Sequence, residues 1–515
     1  MSALGQPRRA GGRRRTSTAR LSQCPPFAGP ATAYRAAAVL AATVVFASCG
    51  GSDDRPPAPA ASTLDATLVD PDGDGALERG PGEALLDRTE LAPAARPGDV
   101  IATVAQLTDT HVRDEESPAR VPFLDRLGGV FRSTFRPHEA LSPQVLAASV
   151  RAVDRLRPGA VFVTGDIIDS NASAELDQAL AVLDGGDVDP DTGAAGYDGV
   201  QAADQPDPLF YRPDLDAPRH PGMLAQAQRP FRSPGLTAPW YPALGNHDLL
   251  AQGETPATPR IEAVATGTRM VVGLDPGLRP REGVDTAQAV DALLAAGAPG
   301  RSLDVPADAA RRQLRPAEVV DRLARRGRAP AALRAAAGRP TLDYAVDLGR
   351  EARALVLDTV NRAGGSRGLL RAEQLAWLRD QLTRTEGRAL LVFSHNPLDN
   401  TDGGDEALAL LDATPGVVAV VAGNSHRNRI RPRAAGGYWE ISTSSLADHP
   451  QQARALRLRR TPDGYALETW MLDHDGHGLA GTARELAYLD AQGGRPQEFA
   501  GTRADRNARL FVAAR

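Results

Sequence analysis

Five short polar clusters, each standing directly after an apolar run of strand length, constrain this 515-residue chain more than any other feature. Asp109-Thr110-His111 follows Asp99–Leu107, and Gly165-Asp166 follows Ala160–Thr164. Gly245-Asn246-His247-Asp248 follows Trp240–Leu244, His395 comes shortly after Ala389–Phe393, and Asn424-Ser425-His426 follows Val417–Ala422. Short apolar runs bounded by turn residues have the pattern of strands covered on both faces. Each run would therefore deliver its polar cluster to a carboxyl-terminal strand tip, where open α/β sheets hold their sites.

The segments between these runs read as helices. Ser142 and Pro143 make a good N-cap and first-turn pair for a helix through Leu156, with Val145, Leu146, Val150, Val153 and Leu156 at helical spacing. Ala174–Leu183 is the next helix, so the order is strand, helix, strand, helix. After two apolar strands, Leu342–Asp347 and Ala354–Asp358, comes a helix through Gln374, Leu375, Trp377, Leu378 and Leu382. Tyr438–Thr443 is a further strand. Ala453–Arg459 and Tyr465–Met471, joined by Thr461-Pro462-Asp463-Gly464, read as an antiparallel hairpin, and Leu479–Leu489 as an outer helix.

The fold class expected is therefore α/β, with strands, helices and long insertions in one main domain over 97–478 and a C-terminal helical extension over 479–515. Gly185–Pro239, rich in Asp, Pro and Gly, is expected as a loop over the site, and Ala251–Pro340, with helical patterns at Ala287–Ala296 and Ala317–Arg325, as an insertion or cap. Loops this long in a compact domain tend to be functional, which makes both segments candidates for substrate choice.

At 42% hydrophobic and 24% charged residues the chain is ordinary globular material. Its formal net charge of −5 is spread without long runs of one sign beyond the N-terminus, which argues against a specific nucleic-acid groove. The N-terminus is distinctive. Arg8, Arg9, Arg13, Arg14 and Arg15 precede the apolar run Ala36–Ala47, which is too short to span a bilayer comfortably and fits an export signal over 1–48. Phe46-Ala47-Ser48-Cys49-Gly50 resembles a bacterial lipobox, with Phe46 where Leu is usual, so Cys49 is expected to carry lipid. A plain secretory signal is the alternative. Residues 49–96 would then form a tether, Pro-rich over Gly50–Pro59, and an N-terminal extension. With only Cys24 and Cys49 present, the mature chain would hold no disulfide.

The five clusters make an inventory of metal ligands. Oxygen from Asp and Asn with imidazole from His suits Mn, Fe, Zn or Co better than Ca, and no thiolate is present to select a softer ion. Two ions a few ångströms apart need a carboxylate between them. Any one cluster arises by chance; their joint order is specific.

That order resembles the calcineurin-like metallophosphoesterase superfamily, whose signature runs Asp-x-His, Gly-Asp-x-x-Asp, Gly-Asn-His-Asp or Glu, a lone His, then Gly-His-x-His. Here these fall at Asp109–His111, Gly165–Asp169, Gly245–Asp248, His395 and Gly423–His426, and Leu357-Asp358-Thr359 with Gln374–Leu378 looks like the spacer before the lone His. The resemblance implies two mixed β-sheets flanked by helices in four layers, and a dinuclear centre of divalent or trivalent ions whose bridging hydroxide hydrolyses phosphate esters. It implies that Asp109, His111 and His426 hold the first metal, that Asp166 bridges, and that Asn246 and His395 hold the second. Asn424 replaces the usual His, which predicts a weaker second site or one favouring a harder ion such as Mn. His247 would act as general acid, with Asp248 fixing its tautomer. Asp169 would orient a ligand, and Arg427 is a candidate contact for phosphate oxygens.

The expected partners are a phosphate-ester small molecule or lipid and, through the anchor, a membrane. The location expected is outside the cytoplasm. The competing class is a surface lipoprotein that binds a phosphorylated ligand with little turnover, motivated by Asn424; retention of Asp166 and His247 argues for an enzyme. His138, His220, His474 and His477 are expected at the surface, and His449 is a candidate for the cleft wall.

Overall fold

The computed structural model describes residues 62–127, 133–273, 288, 300–326, 329–339, 341–385, 387–492 and 497–514. The export signal, Cys49, the tether up to residue 61 and nearly all of the helix expected over Ala287–Ala296 lie outside the described residues. Among the described residues no helix is long and apolar enough to cross a membrane.

Among the described residues thirteen strands build two large sheets. In chain order they are β1 (Leu86–Arg88), β2 (Val100–Leu107), β3 (Ala160–Thr164), β4 (Trp240–Ala243), β5 (Tyr344–Leu348), β6 (Ala352–Leu357), β7 (Ala389–Ser394), β8 (Val417–Ala422), β9 (Arg429–Arg433), β10 (Tyr438–Ser442), β11 (Gln452–Thr461), β12 (Gly464–Asp473) and β13 (Ala508–Ala513). The seven-stranded sheet runs β1-β13-β12-β11-β2-β3-β4 and the six-stranded sheet β5-β6-β7-β8-β10-β9. Both are mixed. β2, β3 and β4 are mutually parallel, as are β6, β7, β8 and β10, while β11 and β12 pair antiparallel. The runs that form β3, β7 and β8 are buried at every position, which is why they read as continuous apolar stretches without alternation.

The sheets stack face to face. Phe162 on β3 lies over Phe393 on β7 with ring centroids 3.8 Å apart, and Gln106 on β2 donates to the Ala422 carbonyl of β8 at 3.2 Å. Helices α1 (Ser142–Leu156) and α2 (Ser173–Asp184) cover one outer face. Helices α3 (Ala372–Thr383) and α4 (Gly404–Asp412) cover the other, where Leu378, Leu382, Leu408 and Leu411 meet Leu355, Leu390 and Val420. The result is the four-layer α/β arrangement expected. Ser142 opens α1, but its hydroxyl accepts from the Arg113 amide at 3.0 Å and does not cap the helix.

The remaining segments differ from expectation in instructive ways. Residues 62–96 are folded, with Ala66–Val69 paired to Glu78–Pro81 and β1 added beside β13. The tail does more than supply the outer helix α5 (Leu479–Gln492), because β13 completes the seven-stranded sheet. The 185–239 segment is tied down: Val188, Met223, Leu224 and Leu236 enter the main core. Phe123, Phe135, Val200, Phe210, Ile261 and Met270, from three separate segments, form a small core of their own.

Candidate metal centre

Parallel register brings the polar clusters together. Leu107 pairs with Val163 and Thr164 with Ala243, so the segments after β2, β3 and β4 leave the sheet side by side. They stay joined beyond it: the Asp109 amide donates to the Gly165 carbonyl at 3.0 Å and the His111 amide to the Asp166 carbonyl at 2.9 Å. β7 and β8 deliver His395 and His426 from the facing sheet. Asp109, His111, Asp166, Asn424 and His426 have φ between 43° and 61°, and so supply five of the eight non-glycine residues with left-handed backbone among those described. Such a conformation is uncommon outside glycine, Asp, Asn and His being the types that adopt it most readily, and it clusters at functional sites. Gly165 and Gly245 are the contact points: a Cβ on Gly165 would lie 2.4 Å from the His395 ring, and one on Gly245 2.1 Å from Asp166 Oδ1.

The imidazoles share one arrangement. Each Nδ1 is taken by an oxygen: His111 by Asp169 Oδ1 at 3.0 Å, His395 by the Thr164 carbonyl at 2.8 Å, and His426 by Asp448 Oδ2. Each Nε2 consequently faces the cluster. His395 Nε2 lies 3.2 Å from Asp166 Oδ2, His426 Nε2 3.4 Å from Asp109 Oδ1, and His111 Nε2 3.7 Å from Asp166 Oδ2 and 3.3 Å from His426 Nε2. Asn246 joins from the side, its Oδ1 3.2 Å from His395 Nε2, because its Nδ2 is occupied by the Gly253 carbonyl at 2.9 Å. Asp109, His111, Asp166 and His426 can each offer a ligand atom within 4.8 Å of the others.

Electrostatics match a cation site. Burial drives the Asp166 carboxyl upward, but the facing His395 and His247 hold it far below the usual range; Asp109 is likewise held down by His426 against its burial. Burial lowers the imidazoles, yet Asp166 lifts His395 to about 10 and Asp109 lifts His426 to about 9. His111, where burial dominates, falls to about 4. Without a metal, ionised carboxylates are thus neutralised by protons on Nε2 atoms, the atoms whose lone pairs a metal would take. Nitrogen and oxygen donors without thiolate, with outward nitrogens fixed by carboxylate or carbonyl, fit one or two borderline divalent ions.

The other expected residues fall into place unevenly. Asp169 orients His111 and is paired with Arg113. His247 donates from Nδ1 to the Asp169 carbonyl at 2.6 Å, its amide donates to Asp166 Oδ1 at 2.8 Å, and its ring stands edge-on to His111 with centroids 4.6 Å apart. The expectation that Asp248 fixes the His247 tautomer is corrected. Asp248 instead accepts the Ile167, Ile168 and Gly245 amides at 2.8, 3.2 and 2.8 Å, pinning the loop after β3 to the loop after β4. Asn424 reaches the cluster through its backbone, the amide lying 3.1 Å from both Asp109 carboxylate oxygens. Arg427 is exposed.

Sequence reasoning missed Asp448, Arg136 and Arg113, which belong to no short motif and are identified only by their contacts. It also misplaced two histidines. His138 is buried with Nε2 on the Ala447 carbonyl at 2.7 Å, and His474 is fully buried beneath Arg484. His449 packs on Tyr488 of α5, with ring centroids 5.0 Å apart.

No family model matches the chain, and no curated protein matches it significantly. Similar solved structures include a dimetal phosphatase from Danio rerio, at 13% identity over 73% of this chain and 97% of that one, with a TM-score of 0.39. The sulfate thiohydrolase SoxB of Thermus thermophilus is similar at 14% identity over 78% of this chain and 62% of that one, TM-score 0.29. PhoD is similar at 9% identity over 81% of this chain and 80% of that one, TM-score 0.29.

Proposed function

We propose that this chain is a calcineurin-like metallophosphoesterase that hydrolyses phosphate esters outside the cytoplasm, held at a membrane by lipid on Cys49. The observation that carries the reading is the common geometry of His111, His395 and His426, each with Nδ1 fixed by an oxygen and Nε2 turned toward ionised Asp109 or Asp166. Motif order supplies the rest: the same residues fall in the sequence of the superfamily signature.

Two divalent ions bound there would lower the pKa of a water and polarise a phosphoryl oxygen. Asp109, His111 and His426 would hold one ion, Asn246 and His395 the other, with Asp166 between them. His247 has Nδ1 committed to the Asp169 carbonyl, so Nε2 is the atom able to carry a proton to a leaving oxygen. Its ring is about a quarter exposed, at 23%, which leaves it reachable by substrate where the ligands behind it are closed off. The ions suited to the donors are Mn, Fe, Zn or Co, and the substrate is a phosphate-ester small molecule or lipid.

The test is hydrolysis of bis-p-nitrophenyl phosphate and p-nitrophenyl phosphate by metal-reconstituted protein beside Asp166→Asn and His247→Ala. Turnover by the wild type that Asp166→Asn suppresses is expected, with His247→Ala lowering it to a lesser degree on these good leaving groups. A wild type as inert as its variants with Mn, Fe, Zn and Co would return the chain to the binding-lipoprotein reading.

A further inference from the structure

Beyond the metal ligands lies a buried chain of ionic contacts that no motif announces. Asp169, which holds His111 Nδ1, is paired with Arg113, and Arg113 NH1 reaches Glu139 Oε2 at 2.7 Å. Glu139 also accepts both terminal nitrogens of Arg120 at 2.8 Å and the Arg136 amide at 3.1 Å. The Arg136 side chain then grips Asp448 with two bonds of 2.7 and 3.0 Å, and Asp448 holds His426 Nδ1. The side chains of Glu139, Arg113, Arg136 and Asp448 are no more than 5% exposed. The path therefore leaves one imidazole and returns to the other.

We infer that Glu139, on the turn before α1, is a positioning residue that sets His111 and His426 relative to each other by anchoring Arg113 and Arg136 at once. This rests on the proposed metal site and adds to it a determinant separated from each imidazole by two residues. Several observations favour that role over simple core filling. A carboxylate buried among arginines is favourable only when it is well hydrogen-bonded, and Glu139 accepts four donors, three on Oε2 and one on Oε1. The forks of Arg113 and Arg136 fix direction as well as charge at Asp169 and Asp448, while Glu139 holds Arg113 by its side chain and Arg136 by its backbone amide. His395, by contrast, has its Nδ1 on a backbone carbonyl and lies outside this path. The consequence is asymmetric: disturbing Glu139 loosens the ion held by His111 and His426 and leaves the ion at His395 and Asn246 in place.

Chelator competition on the full chain loaded with Co or Mn, read as metal released per chain, tests this with Glu139→Gln and, as a milder cut in the second limb, Arg136→Lys. Glu468→Gln is the control, since Glu468 is also buried and accepts Arg459 and Arg509 at 2.9 and 3.2 Å far from the site. Glu139→Gln and Arg136→Lys are expected to release one ion about tenfold more readily, as partners outside the ligand shell do, and to retain the other as the wild type does. Glu139→Asp should recover part of the loss. Equal retention of both ions in Arg136→Lys and in any folded Glu139→Gln would overturn the inference, as would equal loosening by Glu468→Gln. A wild type that binds no ion would instead sink the proposed site, and the inference with it.

Discussion

The two sides of the centre are supported by different materials. On one side His111 and His426 lean on Asp169 and Asp448, carboxylates locked in turn by Arg113 and Arg136. On the other, His395 and Asn246 lean on the backbone carbonyls of Thr164 and Gly253. Side-chain support is tunable and breakable one residue at a time. Backbone support is as durable as the strand tip that provides it, but a carbonyl polarises the Nδ1–H it accepts less than a carboxylate does. The comparison predicts a centre with one tightly specified ion and one more exchangeable ion, and Asn424, engaged through its backbone amide, adds to the same imbalance.

Asp166 belongs to both sides, so its loss should erase the distinction. Asp166→Asn is expected to lower turnover by about a thousandfold, the upper end for a single preorganised group, and to cost both ions in elemental analysis. His247 is backbone-held but is not placed as a ligand. His247→Ala should lower kcat on esters with poor leaving groups by about a hundredfold or more while metal content stays at two, and should matter least for nitrophenyl esters. Asp448→Asn sharpens the contrast directly: metal affinity on the His426 side should fall by roughly 10–100-fold, measured by chelator competition, with the His395 side unchanged.

The pH dependence has a definite sign. In the metal-free chain His426 and His395 titrate near 9 and 10, above the ordinary imidazole value, because burial is outweighed by Asp109 and Asp166. Their stabilisation of the metal-free fold is present below the unfolded value of about 6.5 and is lost as pH rises through 9 to 10. Metal must displace those protons, so affinity should climb by about tenfold per pH unit for each proton released and level off earlier on the His426 side. Thermal melts of metal-free and loaded protein between pH 6 and 10 would show the two opposite slopes. The smallest effect is expected from Asn424→His, which should slow release of the second ion by less than about tenfold.

The strand tips were legible because the physics that buries a parallel strand on both faces also writes it as an unbroken apolar run, and polar residues can follow only where it ends. Asp109, Asp166, Asn246, His395 and His426 stood at those breaks. Asp448, Arg136 and Glu139 could not be found this way, since each lies in an irregular segment and acquires meaning only through a partner remote in the chain. His474 misled for a similar reason: its polar neighbours Asp473 and Asp475 suggest a surface loop, whereas both are buried with it. β13 escapes such reading because the six-residue run Ala508–Ala513 stands near the chain end, beyond the outer helix.

Elemental analysis of purified full-length protein, beside Asp166→Asn prepared identically, tests the central claim most directly. Two transition ions per chain in the wild type, and neither retained in the variant, is the result expected. Wild-type protein that takes up no Mn, Fe, Zn or Co at neutral pH would contradict it.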